Sequence, residues 1–280
     1  MTTEALASKT VLISGGSRGI GHAIAVKLAA AGANIVLVAK TDQPHDSLPG
    51  TVHTAVQDVE DAGGTGLAVV GDIRNDDDVA RAVAAAAERF GGIDAVINNA
   101  SAIDLSPAEH QNMKRYDLMH DINARGTFAL SSAAIPHLRA SAQQEGWRPK
   151  ILTLSPPLNL DPAWFGKHLA YTMSKYAMSM TTLGLAAELA DAGVSVNSLW
   201  PATLIETAAL RNIPGGEKLA RGARKPEIVA DAASALITGE ADWGTGQFLT
   251  DEQVLTSVGI TDYDRYAVDP SSDLVPDIFL

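Results

Sequence analysis

The stretch that decides the fold is Thr10-Val-Leu-Ile-Ser-Gly-Gly-Ser-Arg-Gly-Ile-Gly21. Val11, Leu12 and Ile13 make a short apolar run, β-branched at two of its three positions, which predicts a buried strand. Gly15, Gly19 and Gly21 then predict a tight turn, and residues 22–31 continue as an apolar, Ala-rich helix. A strand, a glycine turn and a helix N-terminus together form an anion site. Free backbone N–H groups and the positive end of the helix dipole can receive a pyrophosphate. A Cβ in that turn would block either the ligand or the packing of helix on strand. Taken alone, the glycine pattern also fits a βα turn with no ligand.

Outward from this turn the chain alternates strands and helices. Strands are expected at residues 34–39, 66–70, 95–97, 150–154 and 194–200, with a further one at 244–249. Helices are expected at 52–62, 76–90, 116–138 (interrupted only near Pro136) and 169–192. Residues 41–50, with Pro44 and Pro49, read as a polar loop. Such alternation predicts a doubly wound parallel sheet of Rossmann type with helices on both faces. The pattern is unbroken from about residue 8 to 249, without linker or repeat, so a single domain spanning 1–280 is expected. Residues 250–280, with several acids, Tyr263, Tyr266, Pro270 and Pro276, read as an extended tail packed on the body or on another subunit.

Composition narrows the function classes. At 280 residues and 46% hydrophobic content, the chain has material for one large core. A net charge of −12 argues against general nucleic-acid binding. The absence of cysteine removes disulfides, thiolate nucleophiles and Cys-ligated metals, and suits a reducing compartment. The seven histidines show no metal-ligand spacing, so no metal is expected. No apolar run approaches the ~20 residues of a membrane span, and neither a secretory start nor a C-terminal retention address is present. The expectation is a cytoplasmic protein.

In an open parallel sheet, ligands bind beyond the carboxyl ends of the strands. There the sequence puts Gly15 to Gly21 (with Ser17, Arg18 and Ile20), Lys40, Asp72 with Ile73, Asn98 to Ser101, Ser155, and Pro201 to Thr203. A second group is Tyr171-Thr-Met-Ser-Lys175, whose spacing sets phenol and ammonium on one helix face. A phenol of pKa about 10 trades protons poorly near neutrality, and a nearby cation would favour the phenolate. The same spacing also fits an amphipathic helix in which Tyr171 packs and Lys175 is solvated. Trp164 and Phe165 suggest an apolar wall beside the tyrosine, and His168 either lines the pocket or is structural.

These motifs, in this order, resemble the short-chain dehydrogenase/reductase family over nearly the whole chain. Ser14 to Gly21 resembles its nucleotide motif, with Ser14 where threonine is usual. Asn98-Asn99-Ala100-Ser101 resembles its Asn-Asn-Ala-Gly motif, with Ser101 in place of the last glycine. Asn123 matches the family asparagine that holds a relay water, and Tyr171 and Lys175 match its catalytic pair. Residues 154–165, 39–45 and the tail bring the chain closer to one subgroup of the family, without bringing a substrate. The resemblance implies Tyr171 as general acid/base and Lys175 as ribose anchor. It also implies that Gly15, Ser17, Arg18, Gly19, Ile20, Gly21, Asp72, Ile73, Asn99, Ala100, Pro201 and Thr203 bind cofactor, in a homotetramer or homodimer.

The departure from the family is its carbonyl-polarising serine. Thirteen residues before Tyr171 stands Leu158, and anchoring on the strand puts Pro156 there, with Ser155 one place early. Ser155, redirected by Pro156-Pro157, and Asn159 are the candidate donors; the other reading is that Ser155 caps the strand end. Without a donor the rate would fall by roughly 10²–10³. Lys40 and Arg18, with no local acid at the end of the second strand, favour NADP(H), with NAD(H) as the alternative. The expected function is hydride transfer between NADP(H) and a carbonyl or secondary alcohol of an apolar small molecule. A nucleotide binder without turnover is the competing class, and an enzyme acting on acyl thioesters uses the same machinery.

Overall fold

A strand buried on both faces needs an apolar run, and Val11, Leu12 and Ile13 supply it within Thr10–Ser14 (β1) at the middle of the molecule, all five residues being buried. The computed structural model describes residues 5–44, 50–213 and 215–280, so Pro49 of the expected loop lies outside the described residues. Around β1 run β2 (Asn34–Ala39), β3 (Thr65–Val70), β4 (Ala95–Asn98), β5 (Lys150–Leu154), β6 (Ser195–Trp200) and β7 (Phe248–Thr250). All pairings are parallel, in the order β3-β2-β1-β4-β5-β6-β7. The order reverses between β1 and β4, which opens a crevice at their carboxyl ends.

Side chains alternate across the sheet and fill two apolar layers. Val11, Ile13, Ile35 and Leu37 pack with α1 (Gly19–Ala29) and α9 (Glu227–Thr238). Leu12, Val36, Val96 and Ile151 pack on the other face with α3 (Asp76–Phe90), α5 (Thr127–Ser141) and α6 (Pro162–Glu188). The remaining helices are α2 (Val52–Asp61), α4 (Met113–Met119), α7 (Ala208–Arg211), α8 (Gly216–Arg221) and α10 (Asp251–Ser257).

Helices α7, α8 and α9 lie outside the sequence expectation, α10 opens a tail expected to be extended, and the expected helices at 116–138 and 169–192 differ in their course. Pro136 does not interrupt α5, which runs through it to Ser141. The proline is exposed, so the carbonyl it leaves unpaired four residues back can be solvated. The interruption comes earlier, as a π-helical stretch over His120–Gly126 that joins α4 to α5 and carries Asn123. Helix α6 begins at Pro162, capped by Asp161, whose carboxylate accepts from Ala163 N at 2.8 Å. It breaks at His168 (φ −153°, ψ 58°) before continuing.

The tail packs on the body. Thr250 and Gln253 close a capping box at the start of α10. Beyond it Lys225 N donates to Tyr266 O (2.7 Å), Val275 N to Gly222 O (2.8 Å) and Leu204 N to Val275 O (2.9 Å). The segment ends by burying Phe279, which is 1% exposed.

Candidate active site

The glycine turn and the segment after β4 are built against each other. Gly15 has φ +73°, and a Cβ there would come within 2.8 Å of Ala100 Cα. Asn99 Nδ2 donates to the carbonyls of Ser14 (3.1 Å) and Gly15 (2.9 Å). In return Ser14 Oγ accepts from Asn99 N and Ala100 N, each at 3.2 Å, which gives the unusual serine a role. Gly21 faces no groove: its Cβ position lies 2.4 Å from Asn99 Nδ2, so it belongs to the packing of the turn. Helix α1 has no side-chain cap, and its first-turn N–H groups are left for a ligand.

Over this floor lies a groove of about 400 Å³ lined by Gly15, Ser17, Arg18, Gly19, Ile20, Lys40, Asp72, Ile73, Asn99 and Ala100. Its residues fit a dinucleotide: glycine where a phosphate must approach, an uncapped helix start, and an apolar slot at Val38 and Ile73. At one end stand two cations. Arg18 Nη2 donates to Thr41 Oγ1 (2.9 Å) and Gly50 O (3.3 Å), and Lys40 Nζ lies 3.7 Å from Asp72 Oδ2. An acid therefore does stand beside the cations, contrary to the sequence expectation, because the fold brings the end of β3 next to that of β2. Asp72 is gripped by Arg74, whose Nε donates at 3.0 Å and Nη2 at 2.6 Å, and these bonds hold its carboxyl below the usual carboxylate range.

A second cavity, of about 250 Å³, shares Ile20, Asn99, Ser101, Thr207 and Ala209 with the groove and is therefore continuous with it. Tyr171 and Lys175, one turn apart on α6, both line it, with Trp200, Pro201, Asp277 and Ile278. Lys175 is buried. Its Nζ donates to Leu154 O at 2.6 Å and lies 5.0 Å from the Trp200 ring centre, and burial pushes the ammonium down to about 7. The Tyr171 ring stacks on Phe279 (centroids 6.2 Å apart, planes at 28°). Burial pushes the phenol above its ordinary value, and Asp277 adds to this. The lowered phenol expected from Tyr-x-x-x-Lys spacing is thus absent from the protein alone, because burial and the Asp277 carboxylate both act to raise it.

Asn123 is fully buried and lines neither cavity. Its Oδ1 accepts from Ala102 N (2.8 Å), and its Nδ2 donates to Ala102 O (3.0 Å) and Ser174 Oγ (2.9 Å). Ser174 Oγ donates onward to Tyr171 O at 2.8 Å, so the asparagine is tied to the tyrosine's own backbone.

Two expected site residues are displaced. Ser155 is fully buried and does not reach the cavity. Its hydroxyl bonds Ser198 Oγ (2.8 Å), which donates to Thr182 Oγ1 (2.9 Å), in a chain that points between β6 and α6. The Pro156-Pro157 turn does not redirect it, and Asn159, whose Oδ1 accepts from Asp161 N at 3.0 Å, lines neither cavity. Thr203 lies beneath the tail in a bridge to Pro276, and Thr207 lines both cavities instead. Trp164 and Phe165 do not line the cavity but back it, against Phe279 (5.9 Å) and Tyr176 (5.4 Å). His168 stands edge-on to both Tyr171 and Phe279 in the same cluster.

Sequence reasoning missed Thr207, Asp277, Ile278 and Phe279. Thr207 carried a legible signal, since it caps α7 by accepting from Leu210 N. The tail residues carried none, having no periodicity. Among the described residues, no group of three or more His, Asp or Glu is placed to hold a metal ion, and no helix is long and apolar enough to cross a membrane.

Residues 9–218 match the sequence profile of the family described as short chain dehydrogenase. Hydroxysteroid dehydrogenase-like protein 2 of Danio rerio is 49% identical over 99% of this chain, and the chain spans 65% of that protein's length. A short chain dehydrogenase from Mycobacterium thermoresistibile superposes with TM-score 0.89 at 48% identity, covering 98% of this chain and 95% of that one. An NADH-dependent reductase in complex with NAD superposes with TM-score 0.72 at 26% identity, covering 89% and 97%.

Proposed function

The chain belongs to the short-chain dehydrogenase family of NAD(P)-dependent oxidoreductases, and from that premise we propose that it interconverts a carbonyl and a secondary alcohol on an apolar small molecule, with NADP(H) as preferred partner. The observation that carries the reading is that Tyr171 and Lys175 open into one cavity continuous with the glycine-floored groove. When bound, the nicotinamide supplies or accepts the hydride at the substrate carbon.

The protein's own residues do the rest. Tyr171 gives or takes the proton on the substrate oxygen, and Lys175 binds ribose hydroxyls from one turn below. Asn123, through Ser174, fixes the backbone from which the phenol projects. Arg18 and Lys40 favour a 2′-phosphate over a bare 2′-hydroxyl at the end of the groove. The apolar walls contributed by Ile20, Leu204, Ile205 and Ile278 favour a lipid-, acyl- or steroid-like substrate. Leu169, Met173, Met180 and Leu183 form an exposed apolar row on α6 that supports self-association.

Fluorescence titration with NADPH and NADH, followed by an NADPH-oxidation screen over ketones, tests this reading. Tyr171→Phe is expected to lower turnover by about 10²–10⁴ while leaving NADPH affinity in place. A nucleotide binder without turnover is the second reading, favoured by the lack of a hydroxyl from the segment after β5. Tight NADPH binding with no ketone consumed would select it.

A further inference from the structure

The segment between β5 and α6 brings no hydrogen-bond donor to the substrate carbonyl. Ser155 is spent in the Ser198–Thr182 hydroxyl chain, Asn159 lines neither cavity, and Pro156, Pro157 and Leu158 have no polar side chain. Another element enters the same cavity. The tail contributes Asp277 and Ile278 to its lining, together with Tyr171 and Lys175.

This placement is built. Asp277 N donates to Ala202 O at 3.2 Å, on the loop after β6. The next residue is pinned from the other side, since Trp200 Nε1 donates to Ile278 O at 3.0 Å. Phe279 is then locked among the rings of Trp164, His168, Tyr171, Tyr176 and Trp200. Of the two carboxyl oxygens, Oδ1 accepts from Ile278 N (2.7 Å), while Oδ2 has no hydrogen bond to any described residue.

We propose that Asp277 replaces the family serine: its protonated carboxyl donates a hydrogen bond to the substrate carbonyl oxygen in the cavity that it lines together with the Tyr171 phenol. This rests on the carbonyl-reductase reading given above. In reduction the carbonyl carbon gains the hydride and the oxygen gains the phenol proton. Asp277 keeps its own proton throughout, and the phenolate is reprotonated from solvent. The chemistry has a general precedent in a buried carboxylic acid kept neutral to polarise a carbonyl.

The charged surroundings suit that role. Burial pushes the carboxyl up to about 7, Asp251 of α10 pushes the same way, and Lys175 of α6 opposes. Behind Asp251 stand Arg224 and Glu252, which are paired with each other. Tyr171, the remaining titratable group on this wall, is held neutral by burial.

The test uses the full chain with NADPH and phenanthrenequinone as the probe ketone. Asp277→Ala is expected to lower kcat by about 10²–10³ with little change in KM. Asp277→Asn keeps an N–H donor and should stay within about tenfold of the wild type. The wild-type rate should fall as pH rises through about 7, and the Asn variant should lack that limb. The carbonyl stretch of the bound quinone, read by difference infrared, should shift to lower frequency in the wild type and the Asn variant but not in the Ala variant. Circular dichroism and NADPH titration confirm that each variant folds and binds. Wild-type rate in Asp277→Ala overturns the proposal and leaves the reductase reading standing. Equal losses in Ala and Asn also overturn it, since they would make Asp277 a charge partner of Lys175. A wild type that binds NADPH yet leaves the quinone unreduced overturns the reductase reading, and the proposal with it.

Discussion

The two halves of the cleft are made by different means. The nucleotide half is made of backbone: positive-φ glycine, an uncapped helix start, and amide-to-carbonyl struts from Asn99, all within the first hundred residues. The substrate half is made of side chains brought together from far apart, with Phe279 stacked on Tyr171 and Ile278 bonded to Trp200 across 78 positions. A backbone site tolerates change in most side chains and is common to every ligand with the same phosphate. A side-chain site can be rebuilt by a new tail without disturbing the other half.

The strongest way to break that contrast is Phe279→Ala. Truncating a buried aromatic costs roughly 3–5 kcal/mol, and here the loss should stay local. Hydrogen exchange at the Leu204 and Asp277 amides is expected to rise steeply while NADPH affinity changes less than about twofold. An equal loss of NADPH affinity would show that the halves unfold as one unit.

A smaller effect separates them by pH. Asp277 is raised from 3.8 to about 7 in the folded chain. The native state therefore holds its proton longer than the unfolded state, so this group's contribution is fully present below about pH 4 and is lost as pH rises through about 7. Lys175, lowered to about 7, has the opposite sense: its burial penalty is relieved above that pH. Thermal denaturation of Asp277→Asn should match the wild type near pH 4 and exceed it clearly near pH 7. Identical melting curves at both pH values would remove the buried-acid account.

The smallest expected effect lies in the nucleotide half. Lys40 is more than half exposed and shared with Asp72, so Lys40→Ala should weaken NADPH by about tenfold, about 1.4 kcal/mol, and NADH hardly at all. Equal effects on both would place the 2′-phosphate contact elsewhere.

The same contrast explains what could be read from the sequence. The mostly apolar runs at residues 34–39 and 150–154 became strands with those bounds, because a strand buried on both faces is built chiefly from such residues. The glycine turn and the Tyr171–Lys175 spacing were legible because they are local. The π-helical stretch at Asn123 was not, since one extra residue per turn leaves no mark in apolar periodicity. The start of α6 had a visible Asp161-Pro162 signal that was outweighed by the apolar run beginning at Leu169. The direction of the Ser155 hydroxyl depends on Ser198, 43 positions away, and no local pattern encodes it.

The burial of Phe279 also sets a geometry for attachment. With that ring seated beside Tyr171 and Leu280 nearly half exposed, anything joined through Leu280 leaves the molecule two residues beyond Ile278, which lines the cavity. A short flexible linker there would hold its cargo at an effective concentration of order millimolar relative to the cavity.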